Sequence, residues 1–248
     1  MAQADILRKS ISITRVITTN WLAMASSTKR RRLTAEEGER RRWCPCADHP
    51  AAWISIENNA VKCSDAEFDA LWQVSHSIPP TMTRFGTTLL RKQATFGAEY
   101  QFGAQTSLRV PDPPEQWPAI VRRFLEWAQT KGGNEYNVIH VNWYPHGKAQ
   151  LLPHSDTEPA SKRGRDIYSL TLTSDKLPRE FCIYYNGGKS ICTAHLKSQK
   201  LISLNLGHCS CITMGGNFQS VFKHGVPPQF GAAFAEQRRI NLTARCFV

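Results

Sequence analysis

The chain has 248 residues, a mass of 28.0 kDa, a formal charge of +11 and a pI near 9.5. That length suits one domain with an extension, and an apolar fraction of 41% is enough for a sizeable core. No apolar run reaches the roughly 18 residues of a transmembrane helix, and the basic balance favours a polyanionic partner.

Residues 1–50 carry ten basic side chains against five acidic, and the remainder 21 against 15, so the excess is not confined to the start of the chain. Lys29-Arg30-Arg31-Arg32 and Arg40-Arg41-Arg42 suit a nuclear import signal or a nucleic-acid patch. The Ser/Thr-rich, acid-poor stretch 1–33 also permits a mitochondrial transit peptide. We expect 1–50 to be a flexible basic extension, 51–248 to be the domain, and the compartment to be the nucleus, with the mitochondrion as alternative. Nothing resembles a secretory signal, so the eight Cys are expected to be reduced. Cys44, Cys46, His49 and Cys63 fit no strong zinc spacing.

Trp53–Ile56 suits a strand. Ser64, with Glu67 three residues on, suits a capping box opening a helix whose apolar face is Phe68, Leu71 and Trp72. Residues 81–108 read as hairpin material around Gly86, Gly97 and Gly103. A helix is expected from about Trp117 to Lys131, stopped by Gly132-Gly133. Val138–Tyr144 is a strand that puts His140, Asn142 and Tyr144 on one face. Ile167–Thr173, Glu180–Tyr185, Leu201–Leu206 and Cys209–Met214 are further short strands. Many short strands with few helices predict a mainly β chain with flanking helices (α+β), built as a jelly roll, that is, a double-stranded β-helix.

Two stretches carry chemistry. In Pro153-His154-Ser155-Asp156-Thr157-Glu158, His154 and Asp156 share one side of an extended segment and form two thirds of a facial triad for non-haem Fe(II). His224, in Phe222-Lys223-His224-Gly225-Val226, is placed to be the third ligand. His-x-Asp alone also arises by chance. In Arg239-Ile240-Asn241-Leu242-Thr243-Ala244-Arg245 the alternation is strict, with Arg239, Asn241, Thr243 and Arg245 on one face. A solvent-facing strand shows the same pattern; so does a site for a dicarboxylate, because arginine offers a planar fork.

Together, His-x-Asp, a distant His and Arg-x-Asn-x-Thr-x-Arg resemble the signature of AlkB-type 2-oxoglutarate, Fe(II)-dependent dioxygenases, over about residues 80–248. Asn142-Trp143-Tyr144-Pro145-His146-Gly147 is similar to the family's Asn-x-Tyr-x-x-Gly, and Arg91–Gly97 to a segment of eukaryotic DNA-repair members. The resemblance implies Fe(II) on His154, Asp156 and His224, with 2-oxoglutarate and O2 as cosubstrates. It implies that Arg239 holds the remote carboxylate with help from Asn142 and Tyr144, that Arg245 lies toward the metal, and that Asn241 supports the site. It further implies a nucleotide lid at about 81–108, with Phe85 as a wedge and Arg91 among the substrate residues, and Glu158 facing a cationic base. The implied reaction removes N-alkyl groups from bases, yielding succinate, CO2 and formaldehyde. The expected partner is nucleic acid, DNA rather than RNA, met by a monomer off the membrane. Alternatives are an RNA or protein demethylase or hydroxylase with the same centre, and a silent nucleic-acid-binding protein.

Overall fold

In a computed structural model, residues 32–33 and 42–247 are described, apart from 84, 99, 103–104, 111, 158–163 and 187–198. Thirteen strands and three α-helices follow in order among them: β1 (Arg32–Leu33), β2 (Ala52–Glu57), α1 (Asp65–Ser77), β3 (Lys92–Gly97), β4 (Tyr100–Phe102), β5 (Gln105–Arg109) and α2 (Ala119–Gly132). Then come β6 (Val138–Tyr144), β7 (Leu151–His154), β8 (Ile167–Thr173), β9 (Arg179–Tyr185), β10 (Lys200–Leu206), β11 (Ser210–Gly216), α3 (Phe218–Val221), β12 (Phe222–Val226) and β13 (Arg239–Arg245).

The larger sheet runs β2-β11-β8-β13-β6-β3-β5-β4, and the smaller joins β10, β9, β12 and β7 in that order. Only β3 and β5 pair in parallel among the described pairs. This is the expected jelly roll, mainly β with flanking helices. Leu33–Val248 form one compact unit.

Period-two alternation divides the central strands between two environments. Ile139, Val141 and Trp143 of β6, Leu170 and Leu172 of β8, and Ile240, Leu242 and Ala244 of β13 face the helices and pack with Phe68, Leu71, Ile120 and Phe124. Trp143 Nε1 donates to the Leu71 carbonyl at 3.1 Å, tying sheet to helix. The capping box forms: Ser64 Oγ accepts from Glu67 N at 3.3 Å, and Glu67 Oε2 accepts from Ser64 N at 3.0 Å. A second core lies between the sheets, where Ile54 and Met214 meet Phe181, Ile183, Ile202 and Phe222.

Two boundaries differ from the sequence expectation. The domain begins before residue 51, because Trp43 exchanges backbone hydrogen bonds with Ile54 at 2.7 and 2.8 Å and packs on the second core. Nor is 81–108 all lid. Lys92–Gly97 pairs antiparallel with β6 along its whole length and buries Ala94 and Phe96 in the helix-facing core. The hairpin proper is shorter: Met82 bridges Thr88, and Gly86 takes φ +78° at the turn.

Candidate active site

The other face of the central strands is a polar bed. In register, Gln93, Asn142, Asn241 and Thr171 form one row across β3, β6, β13 and β8. Thr95, His140, Thr243 and Ser169 form the next. Arg239 lies opposite Tyr144 on one side and Thr173 on the other. Buried polar groups need partners. Asn241 Nδ2 donates to Ser169 Oγ and to the Leu170 carbonyl, both at 2.9 Å, so Asn241 braces β13 against β8.

Over this bed the smaller sheet presents two imidazoles. His154 and His224 are register partners on β7 and β12, with ring centroids 4.3 Å apart. Close approach of these strands requires Gly225, where a Cβ would meet the Leu151 carbonyl oxygen at 2.8 Å. Asp156 follows β7 and is held there by main-chain and side-chain ties. Its N–H donates to Gln219 Oε1 at 2.9 Å, and Ser155 Oγ donates to the Phe222 carbonyl at 2.9 Å.

Asp156 Oδ1 lies 3.3 Å from His154 Nε2, and Oδ2 lies 3.6 Å from His224 Nε2. The three ligand-type atoms all fall within 4.8 Å of one another, the one such group among the described residues. His154 Nδ1 sits 3.0 Å from the Leu152 carbonyl, which fixes the ring with Nε2 turned toward Asp156.

Charge states suit a cation. Burial opposes ionisation of Asp156, but Arg245, then His224 and His154, outweigh it and hold the carboxyl below its usual range. Burial, followed by the adjacent His154, pulls His224 down to about 3, so its imidazole is neutral. Burial and the cations of Arg245 and Arg91 likewise keep His140 neutral.

The pocket is lined by Arg91, Gln93, Asn142, Arg239, Asn241 and Arg245 among others, besides the three metal-type residues. The two β13 arginines part company. Arg245 Nη2 reaches Asp156 Oδ1 at 2.8 Å, while Arg239 Nη2 donates to Thr171 Oγ1 at 3.1 Å. Arg239 Nε and Nη1 and Asn142 Oδ1 are buried without a hydrogen-bond partner among the described residues. Unfilled donors on a buried guanidinium, on the same strand as the Arg245 that pairs with Asp156, fit a carboxylate-bearing metal ligand.

Of the residues singled out from the sequence, His154, Asp156, His224, Asn142, Arg239, Asn241, Arg245 and Arg91 come together around this pocket. Tyr144 shares their strand face but not the lining; its ring lies under the Arg239 guanidinium, 4.8 Å from ring centre to carbon. Its hydroxyl is buried without a hydrogen-bond partner among the described residues, as Asn142 Oδ1 is. Phe85 stands away from the core at the hairpin tip, 79% exposed. Glu158 lies outside the described residues. Sequence reasoning missed Gln93, Gln219 and Phe181, which stacks on His224 at 5.5 Å, and it set His140 aside as core. Register with Asn142 and Asn241 would have pointed to Gln93; no local signal marks Gln219.

No curated protein matches the chain. Among solved structures, OsALKBH1 aligns with 18% identity and a TM-score of 0.48, over 78% of this chain and 96% of that one. A prolyl hydroxylase from Trichoplax adhaerens, solved with a hypoxia inducible factor peptide fragment, aligns with 14% identity and a TM-score of 0.47, over 78% and 83%. A model of the 2OG-Fe(II) oxygenase superfamily matches residues 50–245, which takes in the triad, the polar bed and both arginines. With that match spanning the whole pocket, the chain belongs to the 2OG-Fe(II) oxygenase superfamily, whose enzymes are dioxygenases using Fe(II), 2-oxoglutarate and O2.

Proposed function

We propose that the protein is an AlkB-like dealkylase that removes N-alkyl groups from bases in nucleic acid, DNA before RNA, as repair by direct reversal. His154, Asp156 and His224 hold the iron. Bound Fe(II) supplies the oxidising chemistry that couples loss of CO2 from 2-oxoglutarate to hydroxylation of an N-methyl carbon, which leaves as formaldehyde.

The chain's own groups set up that chemistry. Arg239, steadied from below by the Tyr144 ring, takes the remote carboxylate of 2-oxoglutarate by a two-pronged pair. Asn142 offers its buried side chain beside it. Arg245 keeps Asp156 ionised and oriented. The substrate is a cationic base such as 1-methyladenine or 3-methylcytosine.

One observation carries the nucleic-acid reading: an exposed hairpin bearing an aromatic side chain immediately precedes, along the chain, a residue that lines the pocket. Arg91 lines the pocket, and six residues earlier Phe85, in the turn closed by the Met82–Thr88 bridge, is exposed to solvent. A base within a duplex reaches a buried centre only by leaving the stack, and an apolar side chain at the rim offsets the gap that it leaves. The +11 charge adds attraction to phosphate.

The test incubates the full chain with Fe(II), 2-oxoglutarate and methylated DNA, RNA and histone-type peptide, following succinate and loss of 14 mass units per methyl group. Methyl loss from DNA supports the proposal. Loss only from RNA or peptide, or no succinate at all, sinks it.

A further inference from the structure

Two arginines, Arg179 and Arg239, are each 1% exposed, and neither forms an ion pair among the described residues. Arg179 opens β9. Its Nη2 donates to the Gly147 and Ala149 carbonyls, both at 2.6 Å, and to Pro227 at 3.3 Å. Its Nε and Nη1 are buried without a hydrogen-bond partner among the described residues, as are those of Arg239. Four guanidinium nitrogens are thus left unfilled.

Topology puts both cations at one end of the pocket. Arg239 lies in register with Tyr144, the last residue of β6, and two of the three carbonyls that Arg179 grips, those of Gly147 and Ala149, follow within five residues of it. Arg179 is lowered to about 10, by burial first and then by the Arg239 cation, so the two charges feel each other. Both stay protonated at neutral pH. Like charges placed together out of water are unfavourable until an anion arrives, and their combined field falls on whatever carboxylate Arg239 receives.

We infer that Arg179 is a positioning residue for the cosubstrate: with Arg239 it makes a doubly positive pocket end that selects a 2-oxo acid bearing a second carboxylate. This rests on the reading that Arg239 receives the remote carboxylate of 2-oxoglutarate. Arg179 does not line the pocket; it acts through its field and by fixing the 147–149 turn beside Arg239. The rival is a structural staple, in which its hydrogen bonds matter and its charge does not.

Charge and hydrogen bonding are separable. Arg179→Gln keeps an amide donor for the carbonyls and loses the charge, and Arg179→Lys keeps the charge. Each full-length variant, loaded with Mn(II) as a redox-silent probe, is titrated by calorimetry with 2-oxoglutarate and with 2-oxobutyrate, which lacks the second carboxylate. We expect Arg179→Gln to weaken 2-oxoglutarate about tenfold and 2-oxobutyrate less than about threefold, with Arg179→Lys near wild type. Unchanged 2-oxoglutarate affinity, or equal loss for both acids, overturns the proposal.

Should Arg179→Gln fail to fold, Arg239→Gln answers the same question. With Arg179 intact it retains a preference of about threefold for 2-oxoglutarate, and complete loss of preference leaves no role for the second charge. A wild-type protein without any such preference removes the underlying cosubstrate reading as well, whatever the outcome of the dealkylation assay.

Discussion

Arg245 Nη2 lies 2.8 Å from Asp156 Oδ1, both side chains almost wholly buried, so the end of the sheet floor grips the carboxylate of the metal triad. The same pair stabilises the fold and prepares the centre. Removing one member leaves the other charged and buried, which costs about 3–5 kcal/mol.

Asp156→Ala is therefore expected to lower unfolding free energy by about 3 kcal/mol as well as to abolish Fe(II)-dependent succinate formation. His154→Ala abolishes turnover too, yet shifts stability by less than about 1 kcal/mol, because that imidazole is partly open to solvent. Denaturant melts of the metal-free variants, set beside succinate assays, check both halves. Turnover surviving either change removes the triad.

Arg239→Lys keeps the charge and loses the fork. The Michaelis constant for 2-oxoglutarate should rise about tenfold, with kcat within about threefold of wild type. A titration with an unchanged constant would move the carboxylate anchor off Arg239.

Phe85→Ala removes no core contact, so the melting free energy should stay within about 0.5 kcal/mol. Demethylation of duplex 1-methyladenine should slow roughly 5- to 100-fold more than that of the same lesion in a single strand, since stacking on a base is worth about 1–3 kcal/mol. Matched oligonucleotide time courses decide this. Equal slowing on both would make Phe85 a general lid residue.

Glu67 is lowered to about 2, first by the hydrogen bond from Arg123 and then by the Ser64 backbone. A depressed carboxyl contributes stability that is full above its unfolded value near 4.5 and is lost as pH falls toward 2. Glu67→Gln should flatten the acid limb of the stability curve in that window. Ser64→Ala, which takes away the other half of the capping box, should cost about 1 kcal/mol at neutral pH. Thermal melts between pH 2 and 7 measure both.

Much of the site was legible because strands repeat every two residues. The polar face of Arg239–Arg245 and the apolar face against the helices follow from alternation alone. Alternation gives the face of a side chain but not its neighbours: the parity of Tyr144 does not reveal that its ring lies under the Arg239 guanidinium. Gln219 and Arg179 were opaque for another reason. Their partners, Asp156 and Gly147, lie 63 and 32 residues away, and only strand pairing brings them close. Lys92–Gly97 read as hairpin material because Gly86, Gly97 and Gly103 suggested turns; the hydrogen bonds that β6 offers along its edge made it a strand of the larger sheet.

A side chain that is absent sets the gauge of the metal centre. Because Gly225 lets Leu151 and Pro153 come close, β7 settles on β12 at the spacing that places His154 against His224. Yet β7 is four residues long, stands at the margin of its sheet, and meets β12 through a ladder broken by a register shift. One ligand thus sits on a hinged leaf while His224 sits in the binding of the book. Metal then acts as the clasp: its exchange rate reports the fraying of one strand, and amide hydrogen exchange at Leu152 and His154 should slow on loading while the central sheet stays as it was.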